Sequence, residues 1–230
     1  MIVVDTVVPN QINSDKGFFM ITITNLAKTY GTIHAVNDLS LTINNGEVFG
    51  LLGPNGAGKT TTIKMLTLLA HPTAGSAVID GFSIISDKLD IKRRISVVPQ
   101  ENNLDRELTA LENLHIYSML HRISDFSTKI EESLKLVDLW DRRNDLITRF
   151  SGGMQRRLLI ARSLLNNPKV LFLDEPSIGL DPQVRRQMWD VIRKTRIDGR
   201  TVVLTTHYIE EAEVLCDRVG IMANGTLIAL

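Results

Sequence analysis

The sequence has a single cysteine, few aromatic residues, no long apolar run and no excess of either charge. Cys216 has no partner for an internal disulfide, which excludes a disulfide-stabilised scaffold and fits a reducing compartment. No window approaches the roughly 18 consecutive apolar residues that a membrane-spanning helix needs, so any membrane role must come through a partner. Lys plus Arg and Asp plus Glu both number 26, and this balance predicts no nucleic-acid partner.

What remains is the composition of an ordinary globular protein, with 230 residues of which 43% are hydrophobic and 23% charged. This length is enough for one sizeable core, or for a core with a small additional lobe. Residues 1–19 show little periodicity and are interpreted as an amino-terminal tail, so the folded domain is predicted to cover residues 20–230. Cys216 falls in a helical pattern, and we expect it to be a small buried residue.

One glycine-rich stretch carries the strongest signal in the chain. It follows the apolar run 48–52, opens into a helical pattern, and consists of Gly53, Pro54, Asn55, Gly56, Ala57, Gly58, Lys59, Thr60 and Thr61. A strand, a glycine-rich turn and a helix in this order are typical of a phosphate-binding loop. The glycines allow backbone N–H groups to surround a polyphosphate. Lys59 is predicted to reach the β- and γ-phosphates and the Thr60 hydroxyl to ligate Mg²⁺.

Hydrophobic patterning predicts an α/β fold in three parts. The chain begins with β patterns, including a hairpin before the phosphate-binding loop, continues with helical patterns, and then alternates strands with helices. This alternation predicts a mainly parallel sheet, and the helical stretch is interpreted as an inserted subdomain. The predicted parts are an α/β core over 20–103 and 151–230, an antiparallel β subdomain within its amino-terminal segment, and a helical subdomain over 104–150.

Capping residues mark the predicted helices. Thr109 with Glu112 three residues later forms a capping-box pattern, and a second helix is predicted over 128–137. Ser151 is predicted to cap a third helix, which stops before Pro168.

Four polar residues follow predicted strands. Asp174 and Glu175 end the apolar run 170–173, where a parallel sheet presents its ligands. Phosphoryl transfer needs one carboxylate for Mg²⁺ and another for the attacking water, so Asp174 is predicted to hold the metal and Glu175 to act on the water. His207 follows a later strand and is predicted to contact the γ-phosphate. Gln100 follows a third strand and is a candidate contact for Mg²⁺ or water.

A second glycine-rich helix start occurs at Ser151, Gly152 and Gly153, followed by Met154 and Gln155. Its N–H groups and helix dipole are suited to binding an anion. Because two such starts occur in separate parts of one chain, the sequence predicts that two copies close head to tail around ATP.

Together these motifs resemble the nucleotide-binding domain of ATP-binding cassette (ABC) transporters, a P-loop NTPase family. The resemblance covers nearly all of residues 20–230. The matching segments, in chain order, are Gly53 to Thr61 as Walker A, Gln100 as the Q-loop, Ser151 to Gln155 as the signature, Val170 to Glu175 as Walker B, Ile178 to Asp181 as the D-loop, and His207 as the switch histidine.

The resemblance implies further roles. Tyr30 would stack on adenine, and Asp181 would belong to the nucleotide site. ATP with Mg²⁺ would lie between the Walker A of one subunit and the signature of a second copy, with Glu175 as general base. Gln100 would link the site to an integral membrane permease at the cytoplasmic face of the membrane. Within the family, the motifs look most like daunorubicin-resistance and related multidrug or ABC-2 type exporters.

Two other functions stay open at this point: a soluble cassette ATPase acting on ribosomes or DNA, and a regulatory module that binds ATP without hydrolysing it. The first usually carries two cassettes in one chain, and the second is disfavoured because Glu175 and His207 are both present. Paired basic residues, such as Arg156 with Arg157, are expected to be solvated on helix faces or to lie near carboxylates.

Overall fold

The computed structural model describes residues 19–196 and 199–230, so nearly all of the predicted tail lies outside the described residues. Phe19 is already the first residue of a strand, one residue earlier than predicted. Four strands form an antiparallel sheet in the order β2-β1-β4-β5. They are β1 (Phe19–Tyr30), β2 (Ile33–Asn44), β4 (Ala74–Ile79) and β5 (Phe82–Ser83). The predicted hairpin and antiparallel β layer are confirmed.

A second sheet has six strands in the order β10-β9-β3-β8-β7-β6. All neighbours pair in parallel except β10, which runs antiparallel to β9. The mainly parallel sheet is therefore confirmed. Its strands are β3 (Val48–Leu52), β6 (Ile95–Val98), β7 (Val170–Asp174), β8 (Thr201–Thr206), β9 (Arg218–Ala223) and β10 (Thr226–Ala229).

The two helices predicted from capping residues begin at Thr109 and Ser151 as expected, and the helix predicted over 128–137 spans 126–136. Thr109 forms the capping box with Glu112, and Ser151 accepts a hydrogen bond from the N–H of Met154. The helix after the phosphate-binding loop ends at Leu66, because Leu68 adopts a left-handed conformation with φ of 65°. The helices are α1 (Lys59–Leu66), α2 (Lys88–Lys92), α3 (Ala110–Leu120), α4 (Phe126–Leu136), α5 (Gly152–Leu164), α6 (Pro182–Thr195) and α7 (Ile209–Leu215).

The parallel sheet separates two apolar cores, because successive side chains of a strand point to opposite faces. Val170 and Phe172 of β7 face the core shared with the antiparallel sheet and α1. Leu171 and Leu173 face the core shared with α3, α4, α5 and α6. Since β7 is buried on both faces, it is apolar at every position before Asp174.

The helical segment packs onto one face of the parallel sheet. Helices α3 and α4 contact α5, and apolar residues of all three belong to the same core as Leu171. Between α4 and α5 the chain forms two short 3₁₀ turns, Trp140–Arg142 and Ile147–Arg149. Across the described ranges, 19–196 and 199–230, no helix has the length and apolar character needed to cross a membrane.

Candidate functional site

A cavity of about 590 Å³ lies at the carboxyl end of β3, where the parallel sheet meets the antiparallel one. Ligands of open α/β sheets bind at this end of the strands. The cavity is lined by residues 55–61 of the phosphate-binding loop, by residues 33–35 of β2, and by Gln100, Glu175 and Asn224.

Close backbone contacts hold the phosphate-binding loop in place. Gly58 has φ of 98°, and a Cβ there would lie 2.4 Å from the carbonyl oxygen of Ala35. A Cβ on Gly53 would lie 2.3 Å from the carbonyl oxygen of Met222. Both positions therefore require glycine, which explains the spacing seen in the sequence. The N–H of Gly225, in the turn between β9 and β10, donates to the carbonyl of Ala57 and ties that turn to the loop.

Lys59 lies at the centre of the site and is buried. Its Nζ donates to the carbonyl of Gly53 at 2.8 Å and to that of Pro54 at 3.1 Å. The same ammonium lies 3.1 Å from Oε1 of Glu175, which is also buried. The charge of Lys59 is thus directed into the site by the loop and balanced by a carboxylate, as a buried ion must be.

Asp174 is oriented by two hydroxyl groups. Thr60 Oγ1 donates to Asp174 Oδ1 at 3.1 Å, and Thr205 Oγ1 donates to the same oxygen at 2.6 Å. This brings together a threonine and a carboxylate, the oxygen ligands that Mg²⁺ prefers. No group of three or more histidine, cysteine, aspartate or glutamate residues among those described is arranged to hold a metal. The threonine hydroxyl and the aspartate carboxylate are both oxygen donors, and they fit Mg²⁺, which usually keeps several waters and takes further ligands from substrate phosphates.

Glu175 and His207 are joined by a hydrogen bond of 2.7 Å between Oε2 and Nδ1. Glu175 has φ of 50°, which is uncommon for a residue with a side chain, and such strained residues cluster at functional sites. Its N–H donates to Thr205 Oγ1 at 3.0 Å, so the hydroxyl that orients Asp174 also supports the backbone of Glu175.

Gln100 lines the cavity, and its backbone carbonyl accepts a hydrogen bond from Arg156, a residue that was not among the predicted site residues. The buried guanidinium of Arg156 on α5 donates to the carbonyls of Gln100, Asp174 and Glu175 at 3.2, 2.6 and 3.2 Å, and also to those of Pro99 and Pro176. Burial lowers the pKa of Arg156 to about 10, so it remains charged at neutral pH.

Arg156 therefore connects the strand ends that carry Gln100, Asp174 and Glu175. Paired basic residues were expected to be solvated or to lie near carboxylates. Arg156 is buried rather than solvated, and it lies near the carboxylates of Asp174, Glu175 and Glu211. A signal was present in the sequence, since Gly153, Arg156 and Ile160 follow one another at helical spacing on the buried face of α5.

Tyr30 lies at the end of β1, paired with Ile33 at the rim of the cavity. Its ring is about half exposed, and the ammonium of Lys28 lies 4.8 Å from its centroid. Residues 33–35 and Asn224 line the cavity but were absent from the sequence prediction, because nothing in their types marks them.

The second glycine-rich start lies away from this cavity. Gly152 lines a separate crevice of about 220 Å³ with residues 178–180, and Gln100 borders both spaces. Ser151 caps α5 with its own hydroxyl, and a Cβ on Gly153 would lie 2.2 Å from Val184 Cγ1 on α6. Asp181 caps α6 by accepting from the N–H of Val184 at 2.9 Å. The structure therefore does not bring Ser151, Gly152, Gly153 or Asp181 to the phosphate-binding loop of the same chain.

Cys216 is half-buried rather than fully buried, and it packs beside Gly50 of β3. Burial raises the pKa of its thiol to about 12, which makes it a poor nucleophile at neutral pH.

Comparison with known sequences identifies relatives along most of the chain. The family model described as "ABC transporter" matches residues 36–178. Nod factor export ATP-binding protein I from Burkholderia orbicola is 45% identical over 207 residues, which are 89% of this chain and 68% of that protein. ABC transporter A family member 12 from Arabidopsis thaliana is 46% identical over 197 residues, covering 84% of this chain and 21% of that protein.

Comparison with solved structures gives the same family. The ATP-binding cassette MJ0796, in a dimeric post-hydrolysis state bound to ADP and Pi, superimposes with a TM-score of 0.81 at 30% identity, covering 91% of this chain and 97% of that one. The cbiO1 protein from Clostridium perfringens, part of the ABC transporter complex cbiONQ, has a TM-score of 0.84 at 25% identity, covering 92% and 87%. The fold, the phosphate-binding loop and these relatives together establish that the chain belongs to the ABC transporter family, as the ATP-binding and ATP-hydrolysing subunit of a transporter.

Proposed function

We propose that two copies of this chain bind two ATP molecules between them and drive an exporter of the ABC-2 type through a separate integral membrane permease. The observation that carries the proposal is the separation of the two glycine-rich helix starts. Lys59, Asp174, Glu175 and His207 form one group, whereas Gly152 borders another crevice. A second copy placed head to tail would supply Ser151, Gly152, Gly153 and Asp181 to the ATP held by the first.

In this proposal each residue of the first group has a role in hydrolysis. The phosphate-binding loop and Lys59 bind the β- and γ-phosphates, and the phosphates draw the ammonium away from Glu175. The released carboxylate accepts a proton from the attacking water, and His207 supports the transferring phosphoryl group. Tyr30 stacks on adenine at the rim of the cavity.

The proposed metal is Mg²⁺, held by Thr60 and Asp174 with Gln100 near them. When bound, it neutralises the charge that develops on the phosphate oxygens. Thr205 keeps the Asp174 carboxylate turned toward Thr60 in this site.

The exporter assignment follows the relatives, among which are proteins named for Nod factor export. Dimeric MJ0796 and cbiO1, from the complex cbiONQ, support the second copy and the membrane partner. The chain would then lie at the cytoplasmic face of the membrane, and its cargo would be selected by the permease. The proposed domain division remains an α/β core over 20–103 and 151–230 with the helical subdomain over 104–150.

The experiment that tests shared sites is the dependence of turnover on protein concentration. If two copies complete each site, phosphate release per subunit falls as the protein is diluted below its dimerisation range. A turnover number that stays constant at dilutions where light scattering detects only monomers contradicts the proposal. Co-purification with a protein containing several membrane-length apolar segments distinguishes the transporter from a cassette ATPase that acts on ribosomes or DNA.

A further inference from the structure

A stack of side chains lies behind His207, outside the residues predicted to bind the nucleotide. The ring centroids of His207 and Tyr208 lie 4.0 Å apart, with an interplanar angle of 40°. The guanidinium carbon of Arg185 on α6 lies 4.1 Å from the centroid of the Tyr208 ring. Arg185, Tyr208, His207 and Glu175 therefore form a continuous series that ends at the hydrogen bond from His207 Nδ1 to Glu175.

The guanidinium of Arg185 lies against the Tyr208 ring. The Nε atom of Arg185 is buried and has no hydrogen-bond partner within the described ranges of the chain. An unpaired buried N–H group is unfavourable, so a favourable contact of the guanidinium elsewhere is expected to offset that cost. Its face lies over Tyr208, and the ring quadrupole attracts a cation in this geometry.

Tyr208 in turn restricts the imidazole of His207. The N–H of Tyr208 donates to Thr206 Oγ1 at 3.0 Å, which holds the backbone on one side of His207. The Tyr208 ring covers one face of the imidazole, whose side chain is 27% exposed and lies between β8 and α7. Turning the imidazole away from Glu175 therefore requires the stack to open.

We propose that Tyr208 and Arg185 are positioning residues for ATP hydrolysis, which hold the imidazole of His207 against Glu175 through this stack. The inference rests on the proposed roles of His207 and Glu175. In this role, neither Tyr208 nor Arg185 contacts a phosphate. Loss of the stack therefore slows the hydrolytic step but leaves ATP binding by Lys59 and the phosphate-binding loop intact.

The first test separates turnover from binding. Tyr208→Ala is expected to lower kcat about tenfold with KM for ATP changed less than about twofold, because small misplacements of catalytic groups are costly. Tyr208→Phe retains the ring and is expected to restore kcat. Arg185→Ala is expected to lower kcat about threefold and Arg185→Lys to recover part of the loss. Arg186→Ala, at the exposed next position of α6, is the matched control and should leave both constants unchanged.

The second test is a double-mutant cycle with His207→Ala, since residues that act through one another are not additive. If Tyr208 acts through His207, then Tyr208→Ala causes no further loss of kcat when His207 is already alanine. Should Tyr208→Ala lower kcat equally in both backgrounds, or leave it unchanged in the wild-type background, the positioning role is overturned.

A third outcome concerns the proposed function itself. If His207→Ala leaves kcat unchanged, the proposed role of His207 fails, and the positioning role fails with it. A different result is a Tyr208→Ala variant with unchanged kcat beside a His207→Ala variant with lowered kcat. That result overturns the positioning role but leaves the proposed role of His207 standing. If Tyr208→Ala does not fold, as judged by its thermal transition, the cycle of Arg185→Ala with His207→Ala decides the question in the same way.

Discussion

The two glycine-rich helix starts of this chain resemble each other in sequence but differ in their surroundings. The start of α1 follows Gly58 and has no side-chain cap, while buried Lys59, Asp174 and Glu175 lie around it. The start of α5 is capped by the hydroxyl of Ser151, and both Ser151 and Gly152 are exposed. No buried carboxylate or lysine of the described residues is hydrogen-bonded to this second start.

The difference shows how similar local sequences acquire different roles. Both helix starts present N–H groups and a positive dipole end, which are sequence-local properties. Only the first is placed where strand ends converge, so only it is surrounded by the buried side chains of Lys59, Asp174 and Glu175. The second start is available to another molecule, as the proposed ATP-bound dimer requires.

The largest expected effect is that of Glu175→Gln at the first start. Phosphate release should fall about a thousandfold, because the attacking water loses its base, whereas ATP still binds. Light scattering with ATP and Mg²⁺ should then detect a stable dimer. Glu210→Gln, an exposed position on α7, serves as the control. A Glu175→Gln variant that binds ATP but stays monomeric would count against shared sites.

Lys59→Ala should weaken ATP binding about a hundredfold, because a buried charge-assisted contact with phosphate is lost. Calorimetric titration with ATP measures this directly. Lys64→Ala, on the exposed side of the same helix, should bind normally. If the affinity of Lys59→Ala for ATP is unchanged, Lys59 does not bind the phosphates as proposed. The helix starts of α1 and α5 would then differ less than the comparison requires.

Arg156→Met tests the connection between the two regions, since Arg156 lies on α5 but bonds the carbonyls around the first site. Its removal should destabilise the fold by about 3 kcal/mol, because several buried carbonyl groups lose their donor. Urea unfolding gives the free-energy difference. Arg149→Met, at an exposed position before α5, should change stability by less than about 0.5 kcal/mol. If Arg156→Met is as stable as Arg149→Met, water must donate the hydrogen bonds that the carbonyl groups accept from the guanidinium of Arg156.

Ser151→Ala should destabilise the fold less than Arg156→Met does, by about 1 kcal/mol for a lost helix cap. Under dilute conditions, where the chain is monomeric, ATP affinity should be unchanged, whereas turnover at high concentration should fall. Thr109→Ala removes a comparable cap on α3 and should lower stability without affecting turnover per folded subunit. If Ser151→Ala weakens ATP binding by the monomer, the two starts belong to one site and the comparison fails.

Much of the fold was predictable because the relevant signals are local. Strand β3 has the predicted bounds, and the caps Thr109 and Ser151 start their helices as expected. The apolar run of β7 correctly indicated a strand buried on both faces. Less predictable was the end of α1 at Leu66, which depends on a left-handed turn at Leu68 that no glycine marks.

The sequence by itself determined the phosphate-binding loop, the class of fold and the residue types available for hydrolysis, because glycine spacing, strand patterning and caps act within a few residues. Only the tertiary structure decided which of those residues meet. It joined Glu175 to Lys59 and His207, buried Arg156 against five carbonyls from two separate segments, and kept Ser151 away from the loop. These contacts join residues far apart in the chain, and the order of strands in the sheet, which no local pattern specifies, brings their ends together.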